Sequence, residues 1–207
     1  MNHFEKLYEE LRKKYGKPAG QWSLWCKKRK KEKEREEVVI GAILTQKTSW
    51  NNVELAFRNL KKAGVKSLKD IFKTHPKKLE ELIKPAGFYR AKSQYLITLA
   101  QFILKNYGGL LKMKRIAERE LREKFLKLKG VGPETADSIL LYALDKPIFV
   151  IDEYTRRLIK ERALAKDFSY GFLQKMFEKN LKKDFKLYQD FHALIVIDGK
   201  KSLAKKI

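Results

Sequence analysis

Cysteine is nearly missing: the 207 residues hold one, Cys26. A single thiol excludes an intramolecular disulfide and any multi-cysteine zinc or iron–sulfur site. Histidine is almost as scarce, at three, which argues against a histidine-built metal cluster. Acidic residues are few beside basic ones, 25 Asp and Glu against 48 Lys and Arg, for a formal net charge of +23. No apolar run reaches membrane-spanning length. The longest candidate, Ser138 to Ile151, is broken by Asp145, Lys146 and Pro147. The opening MNHFEKLYEELRKKYGK has no apolar signal-peptide stretch. The expectation is an intracellular protein with no membrane partner.

Large apolar residues are plentiful. The hydrophobic fraction is 43% and the aromatic fraction 12%, more than a disordered polycation carries. The length suits one domain or two small ones. A folded, aromatic-rich, basic domain points first to nucleic acid. A membrane surface fits less well, because no basic amphipathic helix stands out. A Lys/Glu-rich surface of the heat-adapted kind raises both signs of charge and does not explain the imbalance.

Helical periodicity dominates. Phe4, Leu7, Tyr8 and Leu11 mark a first helix that stops near Gly16. Residues 17 to 34 read as a connection with Trp22, Trp25 and a basic run, either a solvated segment or a helix start. Val38 to Leu44 is apolar nearly all round, which predicts a buried helix. Ser49 is placed to cap a helix ending at Gly64, and Thr74 to cap one opened by Pro76. A long helix is expected from Phe88 to about Tyr107, closed by Gly108 and Gly109. Helices follow over 116–128, after Pro133, from Asp152, over 170–180 and over about 184–197. Lys146 to Ile151 reads as an extended connector without partner strands.

The most specific local signal is Lys129-Gly130-Val131-Gly132-Pro133-Glu134-Thr135, a hairpin between two helices. Its glycines permit backbone geometry closed to other residues. With the following helix start, its N–H groups can form a nest for a phosphate. An ordinary helix–helix turn also uses glycine freely. Asp152 opens a helix after the apolar connector, where a carboxylate serves as an N-cap or as a charge aimed at a developing cation.

These segments resemble the helix–hairpin–helix (HhH-GPD) DNA glycosylase superfamily, endonuclease III-like. The similarity runs through GAILTQKTSWNNVELAFRNL (41–60), IKPAGFYRAKSQYLITLA (83–100) and LKGVGPETADSILLYALDKPIFVIDEYTRRL (128–158). It implies an all-α, two-lobed fold. One lobe would span 31–144, with the helix–hairpin–helix at 121–144; the other, 1–30 plus 145–207, would carry the aspartate. A groove between them would have the hairpin on one rim and Asp152 at its floor. The resemblance makes Asp152 catalytic, stabilising an oxocarbenium-like sugar. It places Gln46 where a side chain fills the gap left by a flipped base, and gives the hairpin, from Lys129 through Thr135, to DNA binding. Tyr154 and Arg157, one turn into the Asp152 helix, are candidates for support and for DNA contact.

Two departures refine the expectation. Bifunctional members carry a lysine nucleophile where this chain has Glu134, so a monofunctional glycosylase is implied, with Lys129 as a source of weak strand nicking. Endonuclease III itself holds a [4Fe–4S] cluster on four C-terminal cysteines. FHALIVIDGKKSLAKKI (191–207) resembles the helix leading to that loop but carries no cysteine. No cofactor is therefore expected, while a monovalent cation at the hairpin stays open. Glu134, the Thr45-Gln46 segment with Trp50, and Lys84-Pro85-Ala86-Gly87 look like the cluster-lacking 3-methyladenine glycosylase branch. There Trp50 and the upstream Trp22 and Trp25 would stack on a cationic alkylated purine, with core packing the alternative use of each tryptophan. Lys200 is the nearest match to a functional lysine that follows a C-terminal histidine, here His192. The implied protein excises a damaged base from double-stranded DNA, as a monomer, in the cytoplasm at the nucleoid. An endonuclease III-like glycosylase/AP lyase, a mismatch uracil or thymine glycosylase, and a non-catalytic hairpin DNA-binding module remain the alternatives.

Overall fold

A computed structural model describes residues 1–204; Lys205, Lys206 and Ile207, the end of the 191–207 segment, lie outside the described residues. The described residues form thirteen α-helices and no strand, an all-α protein. The chain divides into two compact units, Arg29–Leu144 and Met1–Lys28 with the chain from Asp145 onward. Among the described residues no helix is long and apolar enough to cross a membrane.

The terminal unit holds α1 (His3–Tyr15), α2 (Trp22–Trp25), α11 (Glu153–Glu161), α12 (Tyr170–Asn180) and α13 (Phe185–Ala204). The expected 17–34 connection thus contains a short helix. Asn2 starts α1, accepting from the backbone N–H groups of Phe4 and Glu5 at 2.9 and 3.0 Å. An aromatic cluster joins the elements: Phe149 stacks on Phe177 at 4.1 Å, and Phe177 meets Phe4 edge-on at 4.8 Å. Phe149 to Ile151 is extended and fully buried. No strand pairs with it. Side chains of α12 take that role, since Gln174 Nε2 donates to the Phe149 carbonyl at 2.8 Å and Glu178 Oε1 accepts the Phe149 N–H at 2.9 Å. A buried backbone needs such partners.

The central unit contains α3 (Glu32–Leu44), α4 (Trp50–Lys62), α5 (Leu68–Lys73), α6 (Pro76–Ile83), α7 (Tyr89–Tyr107), α8 (Leu110–Met113), α9 (Glu118–Leu126) and α10 (Pro133–Ser138). Val38, Val39, Ile43 and Leu44 of α3 have no exposed surface, as its all-round apolar pattern requires. The basic run before it is a helix start, and its Glu32 carboxylate accepts from the Leu110 and Leu111 N–H groups, capping α8. Ser49 occupies the N-cap of α4 without a side-chain capping bond. Thr74 does not cap α6. His75 sits there, extended as a residue before proline must be, and Thr74 closes α5 by donating to the Asp70 carbonyl at 2.7 Å.

The helix after the hairpin is not uniform. α10 passes into a single π-turn, Ile139–Ala143. Wider winding frees a carbonyl, and the buried Arg35 guanidinium of α3 donates to Ala143 O. A charge pair steadies α10 against α9, where Arg122 Nε and Nη2 grip the fully buried Asp137 carboxylate at 2.7 and 3.0 Å. Arg122→Ala leaves that charge poorly compensated and is expected to lower unfolding free energy by about 3 kcal/mol, read by urea denaturation. A change within 0.5 kcal/mol, the scale of a neutral surface substitution, would show that the pair is not a holding contact.

Candidate functional site

The hairpin of the central unit is built by two differently used glycines. Gly130 has φ +83°, and a Cβ there would lie 2.2 Å from Tyr95 Cγ. Only glycine meets both the conformation and the contact. Gly132 is the N-cap of α10 and faces open space, which lets a ligand approach its backbone. Lys129 and Glu134 are exposed, whereas the side chains of Val131 and Thr135 are buried. The expected DNA contacts at those last two positions are therefore limited to backbone groups.

Gln46 lies beyond the C-terminal end of α3. Its Nε2 donates to Gly130 O and to Thr135 Oγ1, both at 2.9 Å. Both protons of that amide are thus spent on holding the hairpin, and a gap-filling Gln46 would have to give up two bonds. Gln46, Lys47, Phe88, Lys92, Tyr95 and the hairpin line a cavity of about 630 Å³. In the sequence Phe88 marks only a helix start. It stands 67% exposed with φ +45°, a left-handed conformation unusual for an aromatic. Trp50 begins α4 and is half-buried.

Lys92, which no sequence motif marks, also lines this cavity. It is 1% exposed, and its Nζ donates to Leu44 O and Ala86 O at 2.8 Å each. Loss of water pushes the ammonium down from its ordinary 10.5 to about 8.

The terminal unit holds Asp152 at the N-cap of α11. Asp152 Oδ1 accepts from Thr155 N at 2.8 Å and Thr155 Oγ1 at 2.9 Å. Oδ2 lies 3.5 Å from His192 Nε2 of α13, and both side chains are largely buried. Burial by itself would raise the carboxyl. The adjoining His192 and the two Thr155 bonds outweigh it and hold Asp152 below the usual carboxylate range. His192, a mere landmark in the sequence, is thus a direct neighbour of the candidate carboxylate.

Around this pair the expected residues separate. Tyr154 packs over Gly199, where a Cβ would come within 2.4 Å of its ring. Burial and then Asp152 raise its hydroxyl. Arg157 lies 5.8 Å over the Tyr154 ring, and its Nη1 is buried without a hydrogen-bond partner. Lys200 is exposed and donates to Gln21 Oε1 at 3.1 Å. Loss of water around its ammonium lowers it, and Asp152 pulls the other way. Trp22 and Trp25 are 6% and 8% exposed, edge to face at 5.8 Å, and Trp22 makes a T-shaped contact with His192 at 6.0 Å. Their packing is that of core residues, which leaves little open face for stacking. Among the described residues no group of three or more His, Cys, Asp or Glu is arranged to hold a metal. The one cysteine of this chain cannot supply four thiolates to a cluster.

The Lys92 environment has a pH consequence. Between about pH 8 and 10.5 the unfolded chain retains a proton at Lys92 that the folded protein has lost. Folding stability contributed by this site therefore rises with pH across that window, by roughly 3 kcal/mol at its end. Unfolding curves of the protein and of Lys92→Met, compared at pH 7.5 and 10, should show the gain in the parent alone. Equal pH responses would refute it.

Residues 40–183 match the model of the HhH-GPD superfamily base excision DNA repair proteins. A "Putative DNA repair glycosylase" of Methanocaldococcus jannaschii is 46% identical over 175 residues, 83% of this chain and 80% of that one. Endonuclease III of Thermotoga maritima is 30% identical over 128 residues, 62% of this chain and 56% of the relative. Among solved structures, the 3-methyladenine DNA glycosylase of H. pylori bound to 1,N6-ethenoadenine superposes with a TM-score of 0.80 at 31% identity, covering 98% of this chain and 99% of that one. An endonuclease III–DNA covalent intermediate gives a TM-score of 0.74 at 19% identity, over 97% and 88% of the two chains, a likeness of fold. The hairpin with its glycine-only turn, the capped Asp152 and a match over 144 of 207 residues agree: this chain is a DNA glycosylase of the HhH-GPD superfamily of base excision DNA repair proteins.

Proposed function

We propose that the protein hydrolyses the N-glycosidic bond of an alkylated purine of the 3-methyladenine kind, flipped from duplex DNA, and leaves the abasic site uncut. The observation that carries this reading is Asp152, a buried carboxylate kept ionised by Thr155 and His192. As the glycosidic bond breaks, its electrons pass to the base and the sugar becomes cationic at C1′. A fixed negative charge stabilises that state without reorganising. Water then adds at C1′, and its proton passes to the carboxylate or to solvent. A purine alkylated at N3 or N7 already carries positive charge, so it leaves neutral and needs no proton from a general acid. The H. pylori relative acts on 3-methyladenine by its name, which supports this class over neutral pyrimidines.

Glu134 supports the monofunctional reading. It occupies the lysine position of the bifunctional enzymes, and a carboxylate cannot form a Schiff base. Backbone amides around Gly132 hold one phosphate, and the surplus lysines attach diffusely to the others. Phe88, exposed and strained, enters the base stack. Gln46 braces the hairpin. Of the three tryptophans, Trp50 keeps the open surface that stacking on a cationic base requires. Lys200 and Tyr154 lie within electrostatic reach of Asp152 as support, and Arg157, over the Tyr154 ring, holds Nη1 as a buried donor ready for an anionic group.

A panel of duplexes carrying alkylated purines, uracil, mismatched thymine or an oxidised pyrimidine tests the substrate. Release of the alkylated purine is expected, and release of neutral pyrimidines alone would refute the reading. Borohydride on an abasic duplex should capture no protein; efficient capture would make the enzyme a lyase, with Lys129 the first suspect. Asp152→Asn should slow base release by about a hundredfold or more with duplex binding retained. Unchanged release would remove Asp152 from the chemistry.

A further inference from the structure

Burying an ammonium is costly, and an apolar side chain of the same length would fill the site of Lys92 without that cost. What the lysine adds is an ammonium with three N–H donors, two of them spent on backbone carbonyls. One bond ends on Leu44, the last residue of α3, and the other on Ala86, which ends a short 3-10 turn. Carbonyls at a helix end are electronegative and suit a cation. Leu44 lies two residues before Gln46, and Ala86 two residues before Phe88. A single ammonium therefore ties the roots of the two segments that present these residues at the cavity.

The same face of α7 continues the frame. Phe88 is its N-cap, Lys92 is one turn in, and Tyr95 follows at three residues, on the same face. The Tyr95 ring fills the place of a Gly130 side chain, and Gly130 O accepts from Gln46. The contacts close a ring from Lys92 through Leu44, Gln46, Gly130 and Tyr95 back to α7. Strain at Phe88 persists because neighbouring structure holds it.

We propose that Lys92 is a positioning residue for DNA distortion, setting the spacing between Gln46 and Phe88 while Tyr95 seats the hairpin in the same frame. Opening the base stack and gripping the phosphate are thereby one rigid arrangement. This rests on the reading that Phe88 enters the duplex. A merely structural Lys92 would, when lost, slow excision from all substrates alike. A positioning Lys92 would matter where a stack must be opened.

The test is single-turnover excision of one alkylated purine from two duplexes, one fully paired and one in which the lesion faces a gap and is already unstacked. The readout is the paired-to-unpaired rate ratio for Phe88→Ala, Lys92→Met and the double variant. Each single change should lower the ratio about tenfold, and the double variant no further, as residues of one network behave. An unchanged ratio for Lys92→Met, or losses that multiply in the double variant, would overturn the proposal. If Phe88→Ala leaves the ratio unchanged, the wedge reading fails and the proposal with it; if only Lys92→Met does so, the proposal fails alone. Should Lys92→Met not fold, Tyr95→Leu replaces it in the cycle with the same two outcomes. Fluorescence of a 2-aminopurine placed next to an uncleavable abasic analogue reads stack opening without excision, so a different lesion preference does not mask the result.

Discussion

Asp152 has to keep a negative charge where little water reaches it, and much of the terminal unit is arranged around that demand. The extended Phe149–Ile151 segment delivers it from a fully buried stretch, whose own backbone is satisfied by Gln174 and Glu178 of α12. The N-terminus of α11 offers a favourable dipole and the Thr155 N–H and hydroxyl. α13 brings His192 against the other oxygen. Helix capping and the proposed glycosidic chemistry are therefore compatible uses of this carboxylate. The capping bonds take one oxygen and fix its direction, and the charge they preserve is what a cationic sugar would need.

The central unit handles a charge of opposite sign by the same means. Lys92 is surrounded by protein, and two backbone carbonyls stand in for water. It joins the ends of α3 and the 3-10 turn, from which Gln46 and Phe88 project. Around it the packing is apolar, with the Val38–Leu44 half of α3 buried. The formal +23 of the chain has little to do with either site. It acts at long range and through salt-dependent attachment, while position is decided by a few buried, hydrogen-bonded charges.

Much of this was legible because its causes are local. Glycine spacing, Pro133 and the flanking periodicity announced the hairpin. The apolar run of α3 announced a central helix. Asp152 after a buried connector announced a capped helix start. What escaped notice depended on partners distant in the chain. Phe88 looks like an ordinary helix-opening aromatic until its exposure and left-handed backbone are seen. Lys92 is one lysine among many, separated from Leu44 by 48 positions. His192 meets Asp152 across 40 residues, and nothing in its helix marks that contact. The π-turn at Ile139–Ala143 is paired with Arg35, a residue that reads as part of a surface charge run.

The sequence alone determined the all-helical class, the hairpin, the candidate carboxylate and the superfamily resemblance, because periodicity, glycine placement and motif spacing are written along the chain. Tertiary structure decided which members of those motifs face inward. It buried Val131, Thr135, Trp22 and Trp25, committed the Gln46 amide to the hairpin, and left Phe88 in the open. The physical reason is that a side chain is useful to a ligand only if the fold leaves it unsatisfied and accessible. Both conditions are set by what packs against it, not by its neighbours in sequence.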